Sequence, residues 1–182
     1  MNGAAWHGGR LDPKNDYKNL PKFVTVHSSE DVSLSGVSFI NGTNWNIHIV
    51  YSTRCSVDGV RIVTPFKGTD GIDVDSSTHV IVENVIVSNG DDCVAVKSGF
   101  DCFGIAMHRP SSDILIRCCQ CCQCCQCCQC CPCCLRCLYS LCYCAARAHT
   151  AHLSNVSCTR GGSIAVGSEM SGGVENVLIT VL

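Results

Sequence analysis

Two acidic signatures stand out in the chain, Thr69-Asp70-Gly71-Ile72-Asp73 and Gly90-Asp91-Asp92-Cys93. They lie 21 residues apart, counted from Asp70 to Asp91. On neighbouring turns of a repetitive β fold, Asp70, Asp91 and Asp92 would stand together. Crowded carboxylates repel one another, which raises at least one pKa. One group can then donate a proton while another accepts one, the pairing that cleavage of a glycosidic bond requires. An inverting reaction of this kind keeps acid and base roughly 6.5–9.5 Å apart, with room for a water. Asp91 and Asp92 are adjacent and would point to opposite sides of a regular strand, but Gly90 permits a bend that aims both outward. Asp and Gly also gather in turns for backbone reasons alone. Asp73 and Asp75 read as turn or solvated residues of that sort. The one-repeat spacing sets Asp70, Asp91 and Asp92 apart from them.

The elements that must position these residues repeat. Asp31–Phe39, Arg54–Ile62 and His79–Val87 align without gaps, 23 residues (31 to 54) and then 25 residues (54 to 79) apart. Apolar residues fall at every second position in each, rich in Val and Ile, as in strands. The pairs Ser35-Gly36, Asp58-Gly59 and Glu83-Asn84 mark a bend between two short strands. A period in the low twenties with β-branched stripes predicts a right-handed parallel β-helix, an all-β solenoid of coils stacked about 4.8 Å apart. Val32, Cys55 and Val80 would face inward as one apolar ladder. A leucine-rich repeat shares the period but lacks its leucine and asparagine spacing here. A β-sandwich is the plainer alternative, against which the regular strand order argues.

A fourth copy starts at Asp113-Ile114-Leu115-Ile116-Arg117 and is interrupted by Cys-Cys-Gln repeats. Most of the nineteen cysteines lie between Cys118 and Cys144. Joining Arg117 to Asn155 restores the strand pattern, so the chain divides into coils over 1–117, a Cys/Gln insertion over 118–154 and further coils over 155–182. Three readings of the insertion are open: a thiolate cluster for zinc or copper(I), a genuine disordered insertion, and translated non-coding sequence, which the clean splice favours.

A net charge of −2 over 182 residues gives no electrostatic case for nucleic acid. No apolar run reaches the roughly 18 residues of a membrane span. Residues 1–22 are polar and Gly-rich without the apolar core of a leader. The start and end both read as cut within a solenoid, which predicts low solubility and little activity for the chain by itself.

On the motifs Gly68-Thr69-Asp70-Gly71-Ile72-Asp73, Asn89-Gly90-Asp91-Asp92-Cys93-Val94-Ala95-Val96-Lys97-Ser98-Gly99, Trp45–Tyr51, Gly104–Ser111 and Ile164–Gly173, the chain resembles glycoside hydrolase family 28, the polygalacturonases, and within it a plant-like or exo-acting branch. The resemblance implies inverting hydrolysis of α-1,4-linked galacturonan in pectin, with Asp91 as general acid and Asp70 and Asp92 as general base. It implies no metal or other cofactor. An anionic substrate needs cations beside an acidic centre. Lys97, Arg109 and His108 are the candidates, with an ordinary surface histidine the better reading of His108. Where many members carry Gly-His-Gly, this chain has Gly161-Gly162-Ser163, and it ends before the family's later Arg-x-Lys pair. The expected partner is pectin or polygalacturonate, with no nucleic acid and no membrane, and the expected state a monomer. The parent enzyme would act outside the cell or at a cell wall, with which the sequons Asn41-Gly42-Thr43 and Asn155-Val156-Ser157 agree. The rival readings are a non-catalytic carbohydrate-binding β-helix, a thiol-rich metal-binding protein and a calcium-dependent lyase.

Overall fold

The computed structural model describes residues 20–117 and 164–180. The chain winds through three parallel sheets in turn, as the repeat predicts. The first coil carries β1 (Val24–His27), β2 (Ser33–Ser35) and β3 (Ser38–Ile40), and the second β4 (Ile47–Val50), β5 (Thr53–Asp58) and β6 (Arg61–Lys67). The third carries β7 (Ile72–Asp75), β8 (Thr78–Glu83) and β9 (Ile86–Gly90). Then follow β10 (Val94–Lys97), a short helix α1 (Asp101–Met107), β11 (Ser111–Arg117), β12 (Ile164–Val166) and β13 (Val174–Thr180). The sheets order as β1-β4-β7-β10-β12, β2-β5-β8-β11-β13 and β3-β6-β9, every pair parallel.

Alternation fills the bore with stacked branched side chains. Ile47, Ile72, Val94 and Ile164 form one ladder, Ile49, Val74, Val96 and Val166 the next. Cys55, Val80, Ile114 and Val177 stack in the second sheet, and Phe39, Ile62 and Val87 in the third. All of these except the partly buried Val166 are buried, and each such side chain stabilises by about 1.5–3 kcal/mol. Cys55 and Val80 are sealed as expected, whereas Val32, in the outermost described coil, is only partly covered.

The bends stack too. Gly36, Gly59 and Asn84 all have positive φ (63, 61 and 52°), at the bend the sequence marks. Asp31, Arg54, His79, Asp113 and Asn176 repeat a left-handed corner with φ between 50 and 57°. A left-handed non-glycine residue costs about 1–2 kcal/mol. Cross-coil bonds offset part of this: Arg54 pairs with Asp31 at 2.7 Å, and Asn176 donates to Asp113 at 3.2 Å.

A hydroxyl ladder closes the corner after the first sheet. Ser52, Ser77 and Ser111 are buried, and each hydroxyl accepts the backbone N–H of the serine one coil earlier, at 3.1, 3.0 and 3.2 Å. Ser52 and Ser77 donate in turn to the carbonyl two residues back, at 2.9 Å in both cases. Ser111 reaches instead to the carbonyl of Lys97, 14 residues back, at 2.7 Å, because the α1 excursion intervenes. The described strands β12 and β13 pair with β10 and β11, with Val94 opposite Ile164 and Ile114 opposite Val177. The insertion itself, Asn155–Cys158 and the Gly161-Gly162-Ser163 triplet lie outside the described residues.

Candidate active site

The two acidic turns enter the first sheet on consecutive rungs. Val94 pairs with Ile72, and the Gly71 N–H donates to the Asp92 carbonyl at 2.8 Å. The rung partner of Asp70 is therefore Asp92, with Asp91 one residue further back. Buried Asn89 bolts the turns together: its amide donates to the carbonyls of Thr69 (2.8 Å) and Asp92 (2.6 Å). Thr69 accepts the Gly90 N–H at 3.2 Å and donates to the Thr64 carbonyl at 2.7 Å. Two glycines are required for room. A Cβ on Gly71 would lie 2.3 Å from the Cys93 carbonyl oxygen, and one on Gly90 1.9 Å from that of Phe66. Gly90 thus serves close approach of two backbones, and its φ is not positive.

Asp70, Asp91 and Asp92 act on one another electrostatically, so the three meet in one field. The Asp92 backbone N–H donates to Asp91 Oδ1 at 3.1 Å. The outward face of the same sheet carries a further set in register: His48 opposite Asp73 opposite Ala95, and Val50 opposite Asp75 opposite Lys97. Asp73 is 0% exposed and Asp75 is bound by His48 Nε2 at 3.4 Å and the Gly99 N–H at 2.9 Å. The turn or solvated reading of both is therefore corrected. Their alternation with Ile72 and Val74 places them on the site face of the sheet, not in a turn.

Lys97 is 4% exposed and meets three acids: Glu169 at 2.7 Å, Asp73 at 3.6 Å and Asp70 at 3.8 Å. The Trp45 ring covers its ammonium at 4.8 Å and that of Lys22 at 4.2 Å, and Lys22 Nζ lies 3.0 Å from His48 Nδ1. A buried lysine so enclosed is a counter-ion to the acids around it.

Burial sets the protonation pattern. It pushes Asp70 up to about 7, helped by Asp91 and Asp92 and opposed by a hydrogen bond from Asp73 and the Lys97 charge. Burial, then the Asp91 charge, lifts Asp92 to about 6 against the pull of Lys97. Asp73 is raised well above its ordinary value, by burial first and the Asp70 charge second. For Lys97 burial works downward, but the charges of Asp73, Glu169 and Asp70 outweigh it and the ammonium is held above its usual value. For Asp75 and Glu169 burial works upward, and their hydrogen bonds, from His48 and Gly99 to the one and from Lys97 to the other, bring both below it.

His108 and Arg109 stand apart from this cluster. They follow α1 and line an open groove of about 460 Å³ with Tyr51, Ser76, Thr78 and Glu30. The Arg109 guanidinium lies over the Tyr51 ring at 4.9 Å. This groove is at the far end of the first sheet from the aspartates, a strand length of about 13 Å away at 3.3 Å per residue. Proximity in sequence to Lys97 does not bring these two side chains to the carboxylates. Sequence reading gave no role of their own to Asn89, His48, Lys22, Trp45 and Glu169, and read Asp73 and Asp75 as turn or solvated residues. Period-two parity combined with the coil spacing is the signal that could have found His48, Asp73 and Asp75.

The sequence model for glycosyl hydrolases family 28 matches residues 1–122, ending just inside the cysteine tract. A probable polygalacturonase of Vitis vinifera is 37% identical over 121 residues, 63% of this chain and 24% of that protein. A polygalacturonase of Penicillium janthinellum is 35% identical over 103 residues, 53% of this chain and 27% of its own length. The chain spans about a quarter of the length of these curated relatives. The crystal structure of a hyperthermoactive exopolygalacturonase from Thermotoga maritima superposes with a TM-score of 0.63 at 27% identity, covering 96% of this chain and 32% of that one.

Proposed function

The chain belongs to glycosyl hydrolases family 28, and from that premise we propose that it carries the acid–base centre of an inverting hydrolase of α-1,4-linked galacturonan. The observation that supports this most is the convergence of Asp70, Asp91 and Asp92 on consecutive rungs, in one another's field. Asp91 is the general acid. It gives its proton to the glycosidic oxygen as the bond from that oxygen to the anomeric carbon breaks. Asp70 and Asp92 take a proton from a water that attacks the same carbon from the opposite side, so configuration inverts and no covalent intermediate forms. Carboxyls raised to about 7 and about 6 are stronger bases than an ordinary aspartate once ionised. Arg109, presenting a fork on the Tyr51 ring, receives a uronate carboxylate away from the scissile bond, and His108 lines the same groove. The substrate is pectin or polygalacturonate, the protein acts outside the cell or at a cell wall, and it works as a monomer.

The test is incubation with polygalacturonate, following reducing ends and the anomer first released by NMR. Release of the inverted anomer, lowered about 10²–10⁴-fold by Asp91→Asn, is expected. Release that Asp91→Asn leaves unchanged, or retained configuration, overturns the proposal. Oligogalacturonate binding without hydrolysis, in wild type and variant alike, assigns the protein to non-catalytic carbohydrate recognition instead.

A further inference from the structure

Lys22 is a half-buried cation, and among the described residues no carboxylate lies within ion-pair distance of it. Lys97, by contrast, meets three acids, and Arg54 and Arg117 each pair with theirs. The Lys22 ammonium lies over the Trp45 ring at 4.2 Å and 3.0 Å from His48 Nδ1. An ammonium can only donate, so Nδ1 accepts from it and the ring proton sits on Nε2. That proton points to Asp75 Oδ2 at 3.4 Å, and Asp75 in turn accepts the Gly99 N–H at 2.9 Å. The contacts hold the ammonium in place. An aromatic face and a neutral imidazole do so without cancelling its charge, as a bonded carboxylate would. One N–H of the three is used, and the other two have no acceptor among the described residues.

The rungs set the place of this cation. The Phe23 N–H donates to the Trp45 carbonyl and Val24 pairs with Ile47, so Lys22 stands opposite Trp45. The Asn46 N–H donates to the Asp70 carbonyl and Ile47 pairs with Ile72, so Trp45 stands opposite Asp70. Lys22, Trp45, Asp70 and Asp92 thus follow one line across four coils. At about 4.8 Å per coil, the Lys22 backbone is about 10 Å from that of Asp70. That is too far to touch the bond the carboxylates act on, and within reach of another sugar of the same polymer. The sheet face is open there, for Thr25, the rung partner of His48, is exposed. Elsewhere on this face Asp70, Asp73 and Glu169 surround Lys97, and an anionic polymer is repelled unless a cation remains to meet it.

We propose that Lys22 is a substrate-binding residue: its ammonium, seated on Trp45 and His48, receives the carboxylate of a galacturonosyl unit away from the scissile bond. It selects a free uronate over its methyl ester, which carries no charge and accepts more weakly. The inference rests on the proposed reaction for the identity of the polymer.

Calorimetric titration of the whole chain carrying Asp91→Asn, with tetragalacturonate and with its methyl ester, tests it. Lys22→Met in that background is expected to weaken tetragalacturonate binding about ten-fold and to leave the methyl ester within about two-fold. Lys22→Arg keeps the charge and the aromatic contact and is expected to bind within about three-fold of its parent. Arg61→Met removes an exposed cation from the third sheet and is expected to stay within about two-fold. Undiminished affinity in Lys22→Met overturns the inference. So do losses in Lys22→Met that Lys22→Arg or Arg61→Met equals. Hydrolysis separates this result from the reaction itself. Protein that hydrolyses polygalacturonate with a KM unmoved by Lys22→Met keeps the reaction and loses the inference. Protein that binds tetragalacturonate through Lys22 and hydrolyses nothing keeps the binding role and loses the reaction.

Discussion

Replacing Asp70 by asparagine should make the protein more stable, and increasingly so as pH rises. Asp70 is 5% exposed and its carboxyl is pushed from 3.8 up to about 7 by burial and then by its acidic neighbours. An acid whose folded pKa is raised binds its proton more tightly in the folded chain. Stability is then greatest below the unfolded value and falls as pH climbs from about 4 to about 7. A rise of about 3 units corresponds to about 4 kcal/mol at 1.36 kcal/mol per unit. Asparagine has no such titration. The advantage of Asp70→Asn over wild type should grow from about 1 kcal/mol at pH 4.5 to about 4 kcal/mol at pH 8, values that coupling to Asp73 and Asp92 would lower. Urea unfolding followed by Trp fluorescence, with Trp45 beside the site as reporter, measures the difference at each pH. Taking the difference cancels the other titrating groups, such as His48, whose depressed pKa acts in the opposite direction. A difference that stays flat across this range, or a variant that loses ground as pH rises, would show that Asp70 is not held against its charge.

Activity on polygalacturonate should climb as pH rises through about 6 to 7, where Asp92 and Asp70 ionise and become able to accept a proton, and a pH profile of kcat/KM checks this. Asn89→Ala removes both amide bonds that join the aspartate turns and should lower stability by about 2–4 kcal/mol, read from the urea midpoint. Gly90→Ala must displace the Phe66 carbonyl, 1.9 Å from the new Cβ, and should destabilise by about 2 kcal/mol or more, with a loss of activity larger than that of a surface Gly36→Ala control.

The solenoid was legible in the sequence because its core follows one rule in every coil. Ile47, Ile72 and Val94 repeat the same inward position, and a branched side chain there has no other way to be buried. The three aspartates were legible because glycine and aspartate recur one coil apart. The enclosure of Lys97 was not legible from strand reasoning alone. Its partner Glu169 is 72 residues away along the chain, beyond the interruption, and comes into reach only when β12 docks on β10. Asp73 was misread because a buried carboxylate is unfavourable in isolation, and the Lys97 ammonium 3.6 Å from it is supplied by the next coil. His108 and Arg109 were read as lying in the loop after Lys97, and there α1 intervenes before β11.

The hydroxyl ladder has a bearing on how such a molecule can be altered. Between Ser98 and Ser111 the winding is opened at one corner and a helical detour spliced in, yet Ser111 still grips the Lys97 carbonyl and β11 meets β8 in step. That corner behaves as a clasp: it shuts on whatever length of chain leaves and returns. Foreign peptides grafted between Ser76 and Ser77, one winding earlier, should therefore be carried as a protruding loop while the spacing of the acidic rungs is preserved.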